Sequence, residues 1–362
     1  MKNVKLTLAA NELKQPLHVK VRHILREQIL SDFQQGQRFY TEREIMRTLA
    51  VSQATTRRAL LDLVNEGYLE TDPRRGFFVK RREESRYVGL VTPFSGSRMM
   101  ETYAEYSDAC RQHGYTLDVH GLHKGENVKN ILRVIRHKPV EERIIITGLT
   151  VELTLELSNL LFNEGYQHVV VGAKMSSFKG GSISMDHEAE VDQILDHLTG
   201  LGHERIVFIV NEPRNLLFTS LRAEVVRQKL AERKLSKAQL IFCDTPQWGD
   251  SFEAAYKKTD AIMQSKPAPT AIVPLSGVGA WAVLRYAIRH GIKIPQQLSV
   301  ASFDPMINAD ILPVPMTELV FSHEERAEKA LNLLWSPQPP QAHELITPKL
   351  IVRESTGPHS SR

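Results

Sequence analysis

Ser52, Gln53, Thr55, Arg57 and Arg58 crowd the first turns of one short amphipathic stretch, Gln53 to about Asn65. Guanidinium and amide groups make paired hydrogen bonds to base edges in a major groove. Hydroxyls and the N–H groups of a helix start meet phosphate. The opposite face carries Ala59, Leu60, Leu63 and Val64 at helical spacing, so the polar set is aimed outward by an apolar stripe. Ser52 predicts the N-cap. Thr41 and Glu44 have the spacing of a capping box, which starts a preceding helix, Glu42–Leu49, with Arg43 outward and Ile45 inward. Gly67 closes the second helix as a left-handed cap. Tyr68–Glu70 and Phe77–Val79 then pair around Asp72-Pro73-Arg74-Arg75-Gly76, which puts Arg75 and Gly76 at the tip of a basic hairpin sized for a minor groove. A helix over Leu17–Phe33, with Val21, Ile24, Leu25, Ile29 and Leu30 on one stripe, is expected behind these elements.

This run resembles the winged helix-turn-helix of the GntR family of bacterial transcription regulators. The resemblance rests on Gly36, Glu42-Arg43-Glu44-Ile45, Val51-Ser52, Thr55-Thr56-Arg57, Ala59-Leu60, Leu63, Gly67-Tyr68-Leu69, and Gly76 before Val79. It spans about Leu17 to Val79. It implies DNA contacts from Arg43, Ser52, Thr55, Arg57 and Gly76. Three positions depart from the pattern: Phe39-Tyr40-Thr41 stands for Leu-Pro-Ser, Thr56 for an apolar residue, and Arg75 for the first wing glycine.

The chain of 362 residues suits two or three domains. Its net charge of +4 hides an asymmetry, because residues 1–82 hold 16 Lys/Arg against 9 Asp/Glu and the rest hold 30 against 33. A basic small domain on a slightly acidic large one suits a nucleic-acid head on a body that stays off DNA. No apolar run reaches membrane-spanning length and the first residues lack a signal-peptide core, so a cytoplasmic protein without a membrane partner is expected. Cys110 and Cys243 make no metal spacing and read as buried reduced thiols.

From Tyr87 short apolar strands alternate with amphipathic helices, the pattern of parallel sheets with right-handed crossovers. Nine strands are expected between Tyr87 and Phe303, with a last one over Leu345–Ser355, and a break near residue 190 divides them into two lobes. The fold expected is α/β. Residues 1–15 form a mobile N-terminus, 16–80 the DNA-binding domain, 81–86 a charged linker, 87–357 a two-lobed body and 358–362 a tail. Residues Tyr87 to Gly357 are similar to the LacI/GalR type of effector domain, which has the periplasmic-binding-protein fold. The similarity is carried by Gly202–Ile209, Arg222, Pro269–Val273, Gly291–Asp304 and Leu350–Thr356. The combined pattern resembles that of arabinose-responsive repressors.

The resemblance points to effector contacts from Phe94, Ser95, Arg98, Thr147, Asp186, Arg222, Ser276 and Asp304. Arginine and carboxylate make charge-assisted bonds to ring hydroxyls, and a phenyl face stacks on a sugar's C–H side. Arg222 and Asp304 also fit an ion pair. At Leu275-Ser276-Gly277 the chain departs from the family's Asn-Asp and lacks its carboxylate. A body without a ligand, or one that binds a protein partner, therefore stays open, and so does a phosphorylated sugar.

The same stretch, Gly277-Val278-Gly279-Ala280-Trp281-Ala282, matches a dinucleotide fingerprint. Asp304 lies farther on than the roughly 20 residues that pattern needs. His187-Glu188-Ala189-Glu190 reads as a solvated acidic first turn with no second metal-ligand pair. No catalytic motif, cofactor or metal is expected. The function expected is a ligand-responsive regulator, a repressor, that meets a pseudo-palindromic double-stranded operator as a homodimer and responds to a small molecule, a sugar. A constitutive DNA-binding protein and, more remotely, a nucleotide-dependent enzyme are the alternatives.

Overall fold

The computed structural model describes residues 16–80, 86–94, 98–136, 143–174, 177–335 and 342–359. The expected mobile N-terminus, most of the linker and Ser95 lie outside them. The head comprises α1 (Leu17–Asp32), α2 (Glu42–Leu49), α3 (Gln53–Asn65) and the antiparallel pair β1 (Leu69–Asp72) and β2 (Gly76–Val79). Val21, Leu25, Ile29, Ile45, Leu60 and Leu63 meet in its core. The capping box at α2 is complete: Thr41 N–H donates to Glu44 Oε2 at 2.8 Å and Glu44 N–H to Thr41 Oγ1 at 3.3 Å. Ala50 takes the left-handed conformation between α2 and α3, and Ser52 Oγ accepts Thr55 N–H at 3.2 Å. Thr56, where the family has an apolar residue, is fully buried. Its hydroxyl donates to Ser52 O at 3.1 Å, so the departure leaves that group satisfied.

The body has two six-stranded sheets. The N-lobe sheet is all parallel, and its order β13-β7-β6-β5-β3-β4 is formed by β3 (Tyr87–Pro93), β4 (Thr116–Leu122), β5 (Arg143–Thr147), β6 (His168–Val171), β7 (Gly181–Met185) and β13 (His343–Ile346). The C-lobe sheet has the order β14-β12-β11-β10-β8-β9, formed by β8 (Ile206–Val210), β9 (Gln239–Phe242), β10 (Ala271–Pro274), β11 (Ser299–Ser302), β12 (Thr317–Val320) and β14 (Lys349–Ile351). Only β14 runs antiparallel. The helices that position the cleft are α4 (Arg98–Gln112), α6 (Val151–Glu164), α7 (His187–Gly200), α8 (Leu217–Glu232), α9 (Ser251–Met263), α10 (Gly277–Arg289) and α11 (His323–Trp335); α5 (Val128–Arg136) covers the N-lobe.

Two sequence expectations are corrected. The single strand over Leu345–Ser355 is two strands in different lobes, split at Thr347-Pro348, where proline supplies no N–H to continue a ladder. Strand β12 was not foreseen because Thr317 and Glu318 interrupt its apolar pattern. Glu318 is nonetheless buried, pairs with Arg353 at 2.9 Å and accepts the Met306 N–H at 2.6 Å. Cys110 is buried and Cys243 only half-buried.

His168 sits in the N-lobe interior with Ser158 Oγ at 2.8 Å from Nε2, and burial pushes its pKa down to about 4. The unfolded chain binds that proton near pH 6.5, so stability present above 6.5 is lost as pH falls toward 4. The expected slope is about 1.4 kcal/mol per pH unit from this one group. Thermal unfolding between pH 7 and 5 should show it, and His168→Gln should flatten the dependence.

Candidate nucleic-acid interface and effector cleft

Capping fixes the direction of α3, and the polar set expected from the sequence stays on its outer face. Arg43, Ser52, Gln53, Arg57, Arg58 and Arg75 are exposed, while Thr55 and Gly76 are half-buried. Ser52 and Thr55 hydroxyls lie 2.9 Å apart. Arg58 pairs with Asp62 one turn on at 3.2 Å. At the hairpin tip Asp72 Oδ1 accepts the N–H groups of Arg74 and Arg75 at 2.8 and 3.0 Å. Gly76 has φ +97°, where a side chain would be strained. The Arg75 guanidinium lies 5.0 Å from the Phe78 ring centroid. Head, recognition surface and hairpin are thus one rigid basic face.

In the body the carboxyl ends of the parallel strands of both lobes open on one cavity of about 430 Å³. That is where open α/β sheets hold ligands, and the size lies within the about 300–1,000 Å³ of small-molecule sites. Thr147, Arg222 and Asp304 line it. Phe94, Asp186 and Ser276 are not among its lining residues. Phe94 packs against His123, ring centroids 4.6 Å apart. Arg98 opens α4. Asp186 caps α7 by accepting the Ala189 N–H at 3.0 Å. Ser276 is fully buried, caps α10 and accepts a hydrogen bond from Asn211 at 2.7 Å. Four aromatic rings line the cavity that the sequence did not single out: Phe218, Trp248, Trp281 and Phe321. Glu105, Glu212 and Arg326 line it too. Glu212 lies in the loop that follows a predicted strand, so its place was the readable signal. Glu105 and Arg326 meet only through the fold, because α11 of the late chain packs on the N-lobe.

Arg222 is spoken for within the protein. Its Nε and Nη2 donate to Glu190 at 3.1 and 3.0 Å, and its Nη1 donates to Leu275 O at 2.7 Å and Asp304 Oδ1 at 3.0 Å. The solvated reading of His187–Glu190 is corrected here: His187 is 8% exposed and Glu190 0%. Glu190 Oε2 also lies 2.6 Å from His187 Nδ1. Burial alone would raise the Glu190 carboxyl, but the Arg222 charge and the His187 hydrogen bond hold it below the usual carboxylate range. The two charged neighbours raise the Arg222 pKa further. On the opposite wall Glu105 accepts from Arg326 Nε at 2.7 Å and Nη2 at 2.5 Å, a bidentate pair.

In the dinucleotide-like stretch Gly279 serves packing, while Gly277 lines the cleft. A Cβ on Gly279 would stand 2.6 Å from Asn211 Oδ1 and 2.7 Å from Pro274 Cβ. The close approach that a glycine permits is therefore used by the protein itself. Among the described residues no three His, Cys, Asp or Glu side chains gather to hold a metal. No described helix is long and apolar enough to cross a membrane.

Residues 17–79 match the bacterial regulatory proteins of the gntR family. The head is a gntR-type domain. Residues 195–356 match a periplasmic binding protein-like domain, and the two-lobed body is of that type. The whole chain is 24% identical to an arabinose metabolism transcriptional repressor of Geobacillus stearothermophilus, over 92% of this chain and 96% of that one. It is 25% identical to the transcriptional repressor CytR of Escherichia coli K12, over 87% and 91%. The body superposes on a LacI family regulator, CCPA of Weissella paramesenteroides with bound glucose, with a TM-score of 0.64 at 18% identity, covering 75% of this chain and 98% of that one. The gntR-type head thus sits on a LacI-like body.

Removing the Arg222 side chain leaves Glu190 buried with its main counter-charge gone. Arg222→Ala should cost about 3–5 kcal/mol. Asp304→Ala, at the partly exposed end of the network, should cost far less. Denaturant unfolding of the two variants separates these outcomes.

Proposed function

We propose that the chain is a ligand-responsive transcription repressor. In this reading two copies, acting in the cytoplasm, set their gntR-type heads on the half-sites of a pseudo-palindromic DNA operator. Arg43, Ser52, Gln53, Thr55, Arg57 and Arg58 meet bases and phosphate in the major groove, and Arg75 and Gly76 meet the minor groove. A small polyhydroxy molecule, a sugar, occupies the cleft and changes the placement of the heads. The relatives that act as repressors support the sign of regulation, and the one named for arabinose metabolism supports the ligand class. No catalytic step enters this reading.

The observation that carries it is the course of helix α6. Its N-terminal end, with Thr150 and Leu153, lines the cleft. At its other end, about 21 Å away by helical rise, the Glu164 carbonyl accepts a hydrogen bond from Arg22 of the head at 2.7 Å. Gly165 follows in the left-handed conformation, and a Cβ there would run into Arg22 and come within 3.0 Å of Val19. Arg22 also pairs with Glu66 at 3.1 Å, and Glu66 caps the end of α3. One helix therefore runs from the ligand site to the head, where Arg22 links its end to the recognition helix. A coupling of about 1–3 kcal/mol through it suffices for regulation.

Fluorescence anisotropy on DNA selected from a random pool, with and without sugars, tests the function. Operator affinity should fall about 5- to 150-fold with the effector. Unchanged affinity across the panel would mean a constitutive regulator instead. Arg57→Ala should weaken operator binding by about 1–3 kcal/mol with little change in unfolding temperature, and Arg58→Ala by less. Arg22→Ala and Gly165→Ala should each leave ligand binding in place while the ligand's effect on DNA affinity drops by half or more. A full response in both would rule out the α6 route.

A further inference from the structure

Glu212 stands on the C-lobe wall of the cleft, in the loop that follows β8. Its Oε2 accepts the Ser251 hydroxyl at 2.7 Å and its Oε1 accepts the Ser276 hydroxyl at 3.0 Å. Ser251 is the first residue of α9 and Ser276 caps α10. The carboxylate is therefore oriented from two sides, over the starts of two helices, where aligned peptide dipoles favour a negative group. The end of β10 provides no carboxylate at Ser276, and Glu212, from the neighbouring strand, brings one to that serine.

The charge of the cleft runs the same way. Among the described residues two arginines line it, and each already holds carboxylates of this chain: Arg222 binds Glu190 and Asp304, and Arg326 binds Glu105. The donors of Arg222 are turned to Glu190, Leu275 O and Asp304. Among the described lining residues Glu105, Glu212 and Asp304 outnumber the two arginines, His323 lies against Glu105, and Glu190 stands behind Arg222. A phosphate or carboxylate ligand would enter an acidic cavity whose guanidinium groups are engaged. An uncharged polyol brings donors, which an ionised carboxylate accepts. Trp248 and Phe218 lie on the same wall as Glu212. Trp248 is held at φ +68°, a left-handed conformation that bulky residues rarely adopt and that tends to mark ligand sites.

We propose that Glu212 is the specificity-determining carboxylate of the cleft. It accepts hydroxyls of an uncharged polyhydroxy ligand, whose C–H face lies against Trp248 or Phe218, and it excludes phosphorylated and carboxylated analogues. This inference rests on the effector-cleft reading above and names the ligand class of that same site.

The test is thermal unfolding of the full chain with arabinose, ribose and glucose, and with ribose 5-phosphate, arabinose 5-phosphate and glucose 6-phosphate. At least one uncharged sugar should raise the unfolding temperature and its own phosphate should not. Glu212→Gln, which keeps the shape and removes the charge, should weaken that sugar at least about tenfold and narrow the gap to its phosphate. Glu212→Asp keeps the charge on a shorter arm; it should weaken the sugar while still excluding the phosphate, and it serves if the glutamine variant does not fold. A sugar phosphate that binds better than its parent sugar overturns the inference and leaves the sensor reading standing. So does an uncharged sugar bound equally well by wild type and by both variants. No shift with any of the six compounds overturns the sugar reading itself, and this inference with it.

Discussion

The Arg222 guanidinium has almost no contact with water, and a charge removed from water must find equivalent partners inside the protein. It finds them on three different pieces of chain: Glu190 on α7, the Leu275 carbonyl after β10, and the segment after β11, where Asp304 accepts its hydrogen bond and the Phe303 ring lies 5.1 Å away. Moving any one of these pieces would strand a buried charge. The C-lobe rim of the cleft is rigid for that reason, and α7, which begins just where the chain crosses between lobes, is locked to it. The residues that face the cavity beyond this network inherit their positions from it.

The N-lobe rim is built differently. Its charged pair, Glu105 with Arg326, joins α4 to α11, a helix that arrives only after the chain has built most of the C-lobe. The chain passes between lobes after β7, after β12 and at Thr347-Pro348 between β13 and β14. The two walls are thus joined by three short crossings, the arrangement in which two-lobed folds place a hinge, and α6 of one wall meets Arg22 of the head.

Much of the head was legible before any coordinates. Local signals govern it: a capping box, a serine N-cap, an apolar stripe and a glycine at a positive φ each act within a few residues. The α3 span and the pairing of β1 with β2 follow from them. The body's strand and helix alternation was legible for the same reason. The failures cluster where distant partners decide the environment. Glu190 read as solvent-facing and the strand that holds Glu318 was not foreseen, yet both carboxylates are buried because Arg222 and Arg353 meet them from afar. The polar cleft residues Arg222 and Asp304 were found by resemblance, yet the fold turns them toward each other.

The sequence by itself determined a basic helix-turn-helix head with a hairpin, a parallel α/β body in two lobes, and arginines on the recognition face. These depend on periodicity, capping and turn chemistry, which are properties of neighbouring residues. Only the tertiary structure decided which charged groups the protein keeps for itself and which it presents to the cleft. It also decided that one helix runs from that cleft to the head. Pairing between residues such as Glu105 and Arg326, more than 200 positions apart, costs no more in sequence than any other pairing. Nothing local encodes it, and the free energy of burying a charge selects the partner only once the lobes have closed around it.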